Sequence, residues 1–115
     1  MRGGLEPNYH PKDIENCRAD LEKNEVNANI MVDFSHGNSQ KNHENQKKVS
    51  ASICDQIACG NKDIIGVMIE SHLKEGNQKI SEDMEYGKSV TDACVNWEET
   101  KKILDDLAQA VKARR

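Results

Sequence analysis

Three residues of types that bind divalent metals lie at or after the ends of two apolar stretches. His36 follows IMVDFS, Glu70 closes DIIGVMIE, and Asp92 stands in the polar segment beyond the second stretch. An imidazole nitrogen and two carboxylate oxygens form a donor set that suits Mn²⁺, Fe²⁺ or Zn²⁺. A histidine and an acid at strand ends are also typical of solvated rim residues or local caps, so spacing alone leaves both interpretations open.

A second candidate site lies near the N-terminus, at Arg2-Gly3-Gly4. A guanidinium fork beside permissive glycines can bind a phosphate or carboxylate through two hydrogen bonds, although these residues are also typical of a frayed terminus. Asp33, inside the first apolar stretch, is expected to be a buried acid satisfied by a neighbouring donor or a residue that orients a metal ligand. The remaining histidines have no pattern that assigns them a role: His10, His43 and His72.

The elements that position these residues alternate between helices and strands. Apolar residues at helical spacing predict helices over 11–23, 42–59 and from 96 nearly to the C-terminus. The stretches 28–35 and 63–70 lack the alternation of a half-solvated strand, which predicts buried parallel strands. This order indicates an α/β fold with a parallel sheet. Ligands of such folds collect at the carboxyl ends of the strands, where we expect His36 and Glu70.

Two further patterns concern the last part of the chain. Asn96 with Glu99 three residues later is typical of a capping box, in which the side chain of Glu99 reaches back to the cap amide. Residues 71–95 carry Gly76 and Gly87 and show no clear periodicity. A connection of that length is usually functional or disordered.

Composition limits the classes of function. The 115 residues favour one modest domain, and 36% hydrophobic with 3% aromatic residues predicts a small aliphatic core. The net charge of −4 is spread along the chain, which offers no basic stripe for nucleic acid or an anionic membrane.

No apolar run approaches the roughly 20 residues of a bilayer span, and no signal peptide is recognised at the start, so we expect a cytoplasmic protein. The four cysteines form no CxxC pair and are interpreted as reduced thiols.

Several stretches in register resemble one enzyme family: RGG…PNY, DFSHGNS, QIACGNKDIIGVMIESHLKEGNQ, YGKSVTDAC, NWEET and AVKARR. Together they resemble the C-terminal part of the class I, bacterial and fungal type 3-deoxy-D-arabino-heptulosonate 7-phosphate (DAHP) synthase. The resemblance covers essentially the whole chain. It implies a (β/α)₈ barrel that condenses phosphoenolpyruvate with erythrose 4-phosphate, the entry step of aromatic amino-acid synthesis by the shikimate pathway.

The resemblance also implies residue roles. His36, Glu70 and Asp92 match three of the four ligands of the family's divalent metal, which is Mn²⁺, Fe²⁺, Co²⁺ or Zn²⁺, and His36 is the expected catalytic residue. Arg2 matches the arginine that binds the phosphate of phosphoenolpyruvate. The fourth ligand, a cysteine, belongs to a part of the family's barrel that this chain does not contain. Cys94 matches a different family cysteine and is not expected to replace it.

The expected architecture is therefore the C-terminal part of a TIM barrel, with residues 1–115 as a fragment of one barrel domain holding its last two strands. Met1 is expected to stand at the end of the sixth strand. A barrel needs eight strands, so we expect the chain to self-associate or to pair with the missing N-terminal portion. The alternative function is a non-catalytic remnant or interaction module without autonomous activity.

Overall fold

The computed structural model describes the whole chain, Met1–Arg115. Its elements are α1 (Pro11–Lys23), β1 (Ile30–Asp33), α2 (His36–Ser39), α3 (Asn45–Ala58), β2 (Ile64–Met68) and α4 (Trp97–Arg114). The two strands pair in parallel, which confirms the predicted α/β class. No helix combines the length and the apolar character that crossing a membrane requires.

The parallel sheet places the ends of both strands at one edge. Val32 lies opposite Val67 and Asp33 opposite Met68, so the segments that follow β1 and β2 leave the sheet on the same side. Met1 lies along the other side of β1. Its ammonium group donates to the carbonyl of Met31 at 2.6 Å, and its own carbonyl accepts from the Asp33 N–H at 2.9 Å. Met1 therefore bonds to β1 as a residue of a third strand would.

The core lies between the sheet and the helices. On α3, Val49, Ile53 and Ile57 share one buried face, and α4 packs against this helix. Burial of such a face, more than intrinsic propensity, stabilises a helix in a protein. The core is aliphatic, as composition predicts, except for Phe34. Its eleven buried members are Ile14, Ile30, Val32, Phe34, Val49, Ile53, Ile57, Ile64, Val95, Ile103 and Ala110.

The two strands are shorter and less buried than the sequence predicts. They span Ile30–Asp33 and Ile64–Met68, within the predicted ranges 28–35 and 63–70. The prediction of burial on both faces is wrong for Met31 and Ile65, whose exposed fractions are 54% and 64%. A two-stranded sheet has no neighbouring strands or packed layer to cover these side chains, although their apolar character is that of an interior strand.

The helices agree with the predictions except at their ends. α1 has the predicted bounds, but α3 begins at Asn45, later than predicted, because Gln40 and Lys41 have positive φ values that reverse the chain after the unpredicted helix α2. The capping box at α4 is half formed. Asn96 Oδ1 accepts from the Glu99 N–H at 2.8 Å, whereas the Glu99 carboxylate lies 3.7 Å from Lys47 Nζ and not at the cap amide.

Residues 71–95 form no helix or strand but are tied together by hydrogen bonds. Isolated bridges join Ser71 to Val95, Gly76 to Cys94 and Asn77 to Ser89. The main-chain N–H of Val95 also donates to the carbonyl of Glu70 at 3.0 Å. The segment therefore returns to the carboxyl end of β2, and this return brings Asp92 beside the sheet edge.

Candidate metal centre

His36 is held at the sheet edge by the turn that follows β1. It is the first residue of α2, and its φ of +48° lies in the left-handed region that non-glycine residues rarely adopt. Such conformations cost on the order of 1–3 kcal/mol and cluster at functional sites. The turn is stabilised by Asp33, whose Oδ1 accepts from the Ser35 N–H at 2.7 Å.

Asp33 also fixes the ring of His36. Its Oδ2 lies 2.7 Å from Nδ1 of His36, and Asp33 is buried. The carboxylate accepts the Nδ1 proton, so the lone pair of the neutral ring is on Nε2. Sequence alone left a structural and an orienting role open for Asp33, and the structure contains contacts of both kinds.

Glu70 follows β2 by two residues and faces His36 across the sheet edge. Its Oε1 lies 3.6 Å from Nε2 of His36, and its Oε2 accepts from Ser35 Oγ at 2.6 Å. Ser35 is buried, so its hydroxyl keeps the Glu70 carboxylate turned toward the turn that carries His36. The two strand ends thus bring both predicted side chains to one point, as expected for parallel strands.

Asp92 completes the cluster from the loop. Its Oδ2 lies 3.3 Å from Nε2 of His36, and its side chain is 52% exposed. One potential ligand atom from each of His36, Glu70 and Asp92 lies within 4.8 Å of the others. The structure therefore brings together the three residues predicted as ligands, with Asp92 as the solvent-facing member.

The cluster fits a divalent cation. Donors about 2.0–2.2 Å from a shared Zn²⁺-like centre with tetrahedral angles are roughly 3.4 Å apart, close to the separations from His36 Nε2 to the two carboxylates. Two carboxylates beside one imidazole also concentrate negative charge at the edge. The Asp33–His36 contact is the carboxylate–histidine arrangement that commonly supports metal-binding imidazoles. The residues present are compatible with a Mn²⁺, Fe²⁺, Co²⁺ or Zn²⁺ ion, with coordination positions left for other ligands.

Cys94 lies near the cluster without joining it. The residue is buried, and its Sγ lies 3.5 Å from the carbonyl oxygen of Asp92. Burial raises the pKa of the Cys94 thiol, and the nearby carboxylates of Glu70 and Asp92 add to the shift. The Sγ of Cys94 is not among the potential ligand atoms that cluster with those of His36, Glu70 and Asp92. All four cysteines are free.

The Arg2-Gly3-Gly4 segment packs against the turn that holds His36. The Arg2 carbonyl accepts from the Asn38 N–H at 3.1 Å, and Gly3 has a φ of +72°. A Cβ atom on Gly37 would lie 2.6 Å from the carbonyl carbon of Gly3, so the glycines permit a close main-chain contact. The Arg2 side chain is exposed and forms no ion pair, so the predicted phosphate contact stays a prediction.

Two residues around the cluster were missed by sequence reasoning. Ser35 lies inside the DFSHGNS stretch, where a hydroxyl beside a candidate ligand was an available signal. Gln46 is buried in the first turn of α3 and bonds to the main chain of Glu70. Sequence periodicity does not reveal this buried glutamine, because residues on the buried face of a helix are expected to be apolar.

Comparisons with known proteins agree with the resemblance seen in the sequence. The family model described as DAHP synthetase I family matches residues 1–105. The Phe-sensitive phospho-2-dehydro-3-deoxyheptonate aldolase of Escherichia coli K12 is 53% identical over 117 residues, covering 100% of this chain and 33% of the relative. The tyrosine-inhibited aldolase of Schizosaccharomyces pombe is 52% identical over 122 residues, with the same coverage.

A solved structure is also similar. The phospho-2-dehydro-3-deoxyheptonate aldolase from Francisella tularensis SCHU S4 superposes with a TM-score of 0.95 at 50% sequence identity. The match covers 99% of this chain and 34% of that one. The chain thus spans about a third of the length of the relatives it matches.

Proposed function

The chain belongs to the DAHP synthetase I family, and from this membership we propose that it is the C-terminal portion of a DAHP synthase. The complete enzyme would condense phosphoenolpyruvate and erythrose 4-phosphate with water, giving DAHP and inorganic phosphate. The proposed reaction is an aldol-type transfer at the entry to the shikimate pathway. Support comes from relatives with about 50% sequence identity that are named phospho-2-dehydro-3-deoxyheptonate aldolases.

We propose that residues 1–115 form part of one (β/α)₈ barrel and contribute its last two strands, β1 and β2. Enzymes with this fold place their catalytic groups at the carboxyl ends of the strands. The position of His36 and Glu70 just beyond β1 and β2 supports the assignment. So does Met1, because it bonds along β1 at the place where the end of a preceding strand would lie.

The single observation that carries the proposed function is the convergence of His36, Glu70 and Asp92. These residues would hold one divalent ion, with His36 as the ligand fixed from behind by Asp33. When bound, such an ion supplies a Lewis acid that polarises the aldehyde of erythrose 4-phosphate. Donors of this mixture suit several metals, so Mn²⁺, Fe²⁺, Co²⁺ and Zn²⁺ are all included in the proposal.

Other residues of the chain would bind substrate and shape the site. Arg2 would bind the phosphate of phosphoenolpyruvate, since a guanidinium can donate two parallel hydrogen bonds to phosphate oxygens. Its main chain is anchored beside the His36 turn through the Asn38 N–H, which supports a position near the metal cluster. Holding the two anionic substrates in reacting geometry can supply roughly 7–11 kcal/mol of barrier reduction.

A second candidate function is a non-catalytic interaction module. The exposed side chains of Met31 and Ile65 and the open edge of β2 favour it for the isolated chain. Its partner would be the remaining barrel portion or a second copy of this chain. The coding sequence upstream of Met1 separates the two candidates, because an enzyme portion predicts that it encodes the cysteine-bearing first strand. A cytoplasmic location stays a prediction.

Metal binding tests the proposed centre. Electron paramagnetic resonance can follow the loss of the free Mn²⁺ signal as the folded chain is added. We expect weak binding by the unsubstituted chain and at least about 10-fold weaker binding by Glu70→Ala. Glu98→Ala is the control, because Glu98 is exposed on the first turn of α4 and its carboxylate pairs with Lys101. Equal affinity in the Glu70→Ala and unsubstituted chains would exclude Glu70 as a ligand.

A further inference from the structure

Gln46 is a fully buried polar residue beside the metal cluster. It lies in the first turn of α3, and its exposed fraction is 0%. Burying an amide costs free energy unless its donor and acceptor groups find partners. The partners of this side chain therefore indicate what its burial achieves.

Both polar atoms of the Gln46 side chain bond to the main chain of Glu70. Nε2 donates to the Glu70 carbonyl at 3.1 Å, and Oε1 accepts from the Glu70 N–H at 3.2 Å. The amide orientation follows from the partners, since only an oxygen can accept from the N–H group. The Gln46 amide thus donates one hydrogen bond to the Glu70 main chain and accepts one from it, as the main chain of a neighbouring strand would.

These bonds begin where strand pairing ends. The last residue of β2 is Met68, whose carbonyl accepts from the Phe34 N–H at 2.9 Å. Glu70 lies beyond the ladder, so its main-chain groups need other partners. The Glu70 carbonyl also accepts from the Val95 N–H, whereas Gln46 Oε1 is the acceptor for the Glu70 N–H.

The same turn of α3 contacts the segment that carries His36. Asn45 Nδ2 donates to the carbonyl of Ser39 at 2.9 Å, and Ser39 Oγ donates to the carbonyl of His36 at 3.3 Å. The start of α3 is therefore bonded both to the turn after β1 and to the residue that follows β2. It fixes the distance between the two main-chain segments that present the imidazole and the Glu70 carboxylate.

We propose that Gln46 is a positioning residue, which holds the main chain of Glu70 so that its carboxylate meets His36 at the metal site. Ser35 orients the Glu70 carboxylate from one side, and Gln46 fixes the peptide from which that side chain projects. The inference rests on the proposed metal centre. Loss of a residue that supports a metal ligand typically weakens metal affinity about 10- to 100-fold.

The test compares two buried glutamines on α3. Gln46→Met keeps the length of the side chain and removes both bonds to Glu70. Gln56→Met is the matched control, because Gln56 is 9% exposed on the same helix and donates to the Tyr9 carbonyl at 2.8 Å, away from the metal cluster. Mn²⁺ affinity is measured by paramagnetic resonance on each folded chain, and stability by urea unfolding without metal.

We expect both methionine variants to lose stability and only Gln46→Met to lose Mn²⁺ affinity, by about 10- to 100-fold. Equal Mn²⁺ affinities for Gln46→Met and Gln56→Met would overturn the inference while leaving the metal centre intact. Absence of Mn²⁺ binding by the unsubstituted chain would contradict the metal centre and, with it, this inference.

A second variant covers the case in which Gln46→Met does not fold. Gln46→Asn keeps a buried amide, but its side chain is one methylene shorter and no longer reaches the Glu70 peptide. We expect the same loss of Mn²⁺ affinity. If neither Gln46 variant folds while Gln56→Met does, Gln46 is a determinant of folding and the positioning role is wrong.

Discussion

Nδ1 of His36 lies 2.7 Å from Oδ2 of Asp33, while Nε2 of the same ring faces the carboxylates of Glu70 and Asp92. The aspartate thus determines which nitrogen carries the proton and which is available to a metal. The two residues are three apart in the sequence, and the left-handed conformation of His36 lets the ring fold back onto the strand end.

Asp33→Asn should lower Mn²⁺ affinity about 10- to 100-fold. The asparagine oxygen would keep the bond to the Ser35 N–H, which leaves its amide donor facing Nδ1 of His36. The ring would then carry its proton on Nε2, where the metal should bind. Paramagnetic resonance with Mn²⁺ provides the measurement, and Asp105→Asn, on the exposed face of α4, is the control. Unchanged affinity in a folded Asp33→Asn chain would show that the aspartate does not set the tautomer.

Gly37→Ala should destabilise the chain by about 1–3 kcal/mol, because overpacking forces the main chain apart. The added Cβ would lie 2.6 Å from the carbonyl carbon of Gly3 and 2.7 Å from the nitrogen of Gly4. Gly4→Ala is the control, since a Cβ there has no atom within 4 Å, and we expect a change within about 0.5 kcal/mol. Urea unfolding measures both, and similar free energies of unfolding for the two variants would be inconsistent with the close packing of these glycines.

Local signals in the sequence predict the α/β class and the candidate metal residues, whereas the assignment of His36, Glu70 and Asp92 as ligands comes from the family resemblance. Two apolar stretches between amphipathic helices indicate parallel strands, and parallel strands necessarily present His36 and Glu70 at one edge. The half-formed capping box is different, because Glu99 has a competing partner in Lys47 that lies far away in sequence. A local motif cannot report such a competitor.

The residues that support the ligands depend on tertiary contacts. Gln46 lies 24 positions before Glu70 and bonds to its main chain, so neither the side chain of Glu70 nor any spacing rule reveals the pair. The helix α2 depends on the left-handed conformation of His36, which an ordinary histidine in a polar turn does not indicate. The exposure of Met31 and Ile65 follows from a sheet of only two strands, whereas their apolar character predicts burial.

Cys54 should react with a maleimide more slowly than Cys59 in the folded chain. Burial raises the pKa of the Cys54 thiol, so less thiolate forms at a given pH, and Cys59 is exposed. The unfolded chain would ionise Cys54 near the ordinary value of about 8.5, so the Cys54 contribution to the free energy of unfolding should fall as pH rises above that value. Peptide mapping after alkylation at pH 8, with and without urea, measures the reaction rates of Cys54 and Cys59. A Cys54 rate in the folded chain equal to that in urea would contradict the burial effect.

The isolated chain should self-associate through its exposed apolar strand residues. Ile65 is 64% exposed beside the open edge of β2, and unpaired edges with apolar side chains favour association. Ile65→Asp should shift the sedimentation coefficient toward that of the monomer. Ile80→Asp, in the loop of residues 71–95, should change the sedimentation coefficient little. A chain that stays monomeric at high concentration would show that the sheet edge does not mediate self-association.

We propose that this chain is one portion of a barrel whose metal site includes His36, Glu70 and Asp92. The most direct test measures phosphoenolpyruvate consumption with erythrose 4-phosphate and Mn²⁺. The chain is assayed alone and together with the two thirds of the Escherichia coli relative that it does not match. We expect no turnover by the chain alone, turnover by the mixture, and none by a mixture containing Glu70→Ala. Robust turnover by the chain alone, or undiminished turnover with Glu70→Ala, would contradict the account.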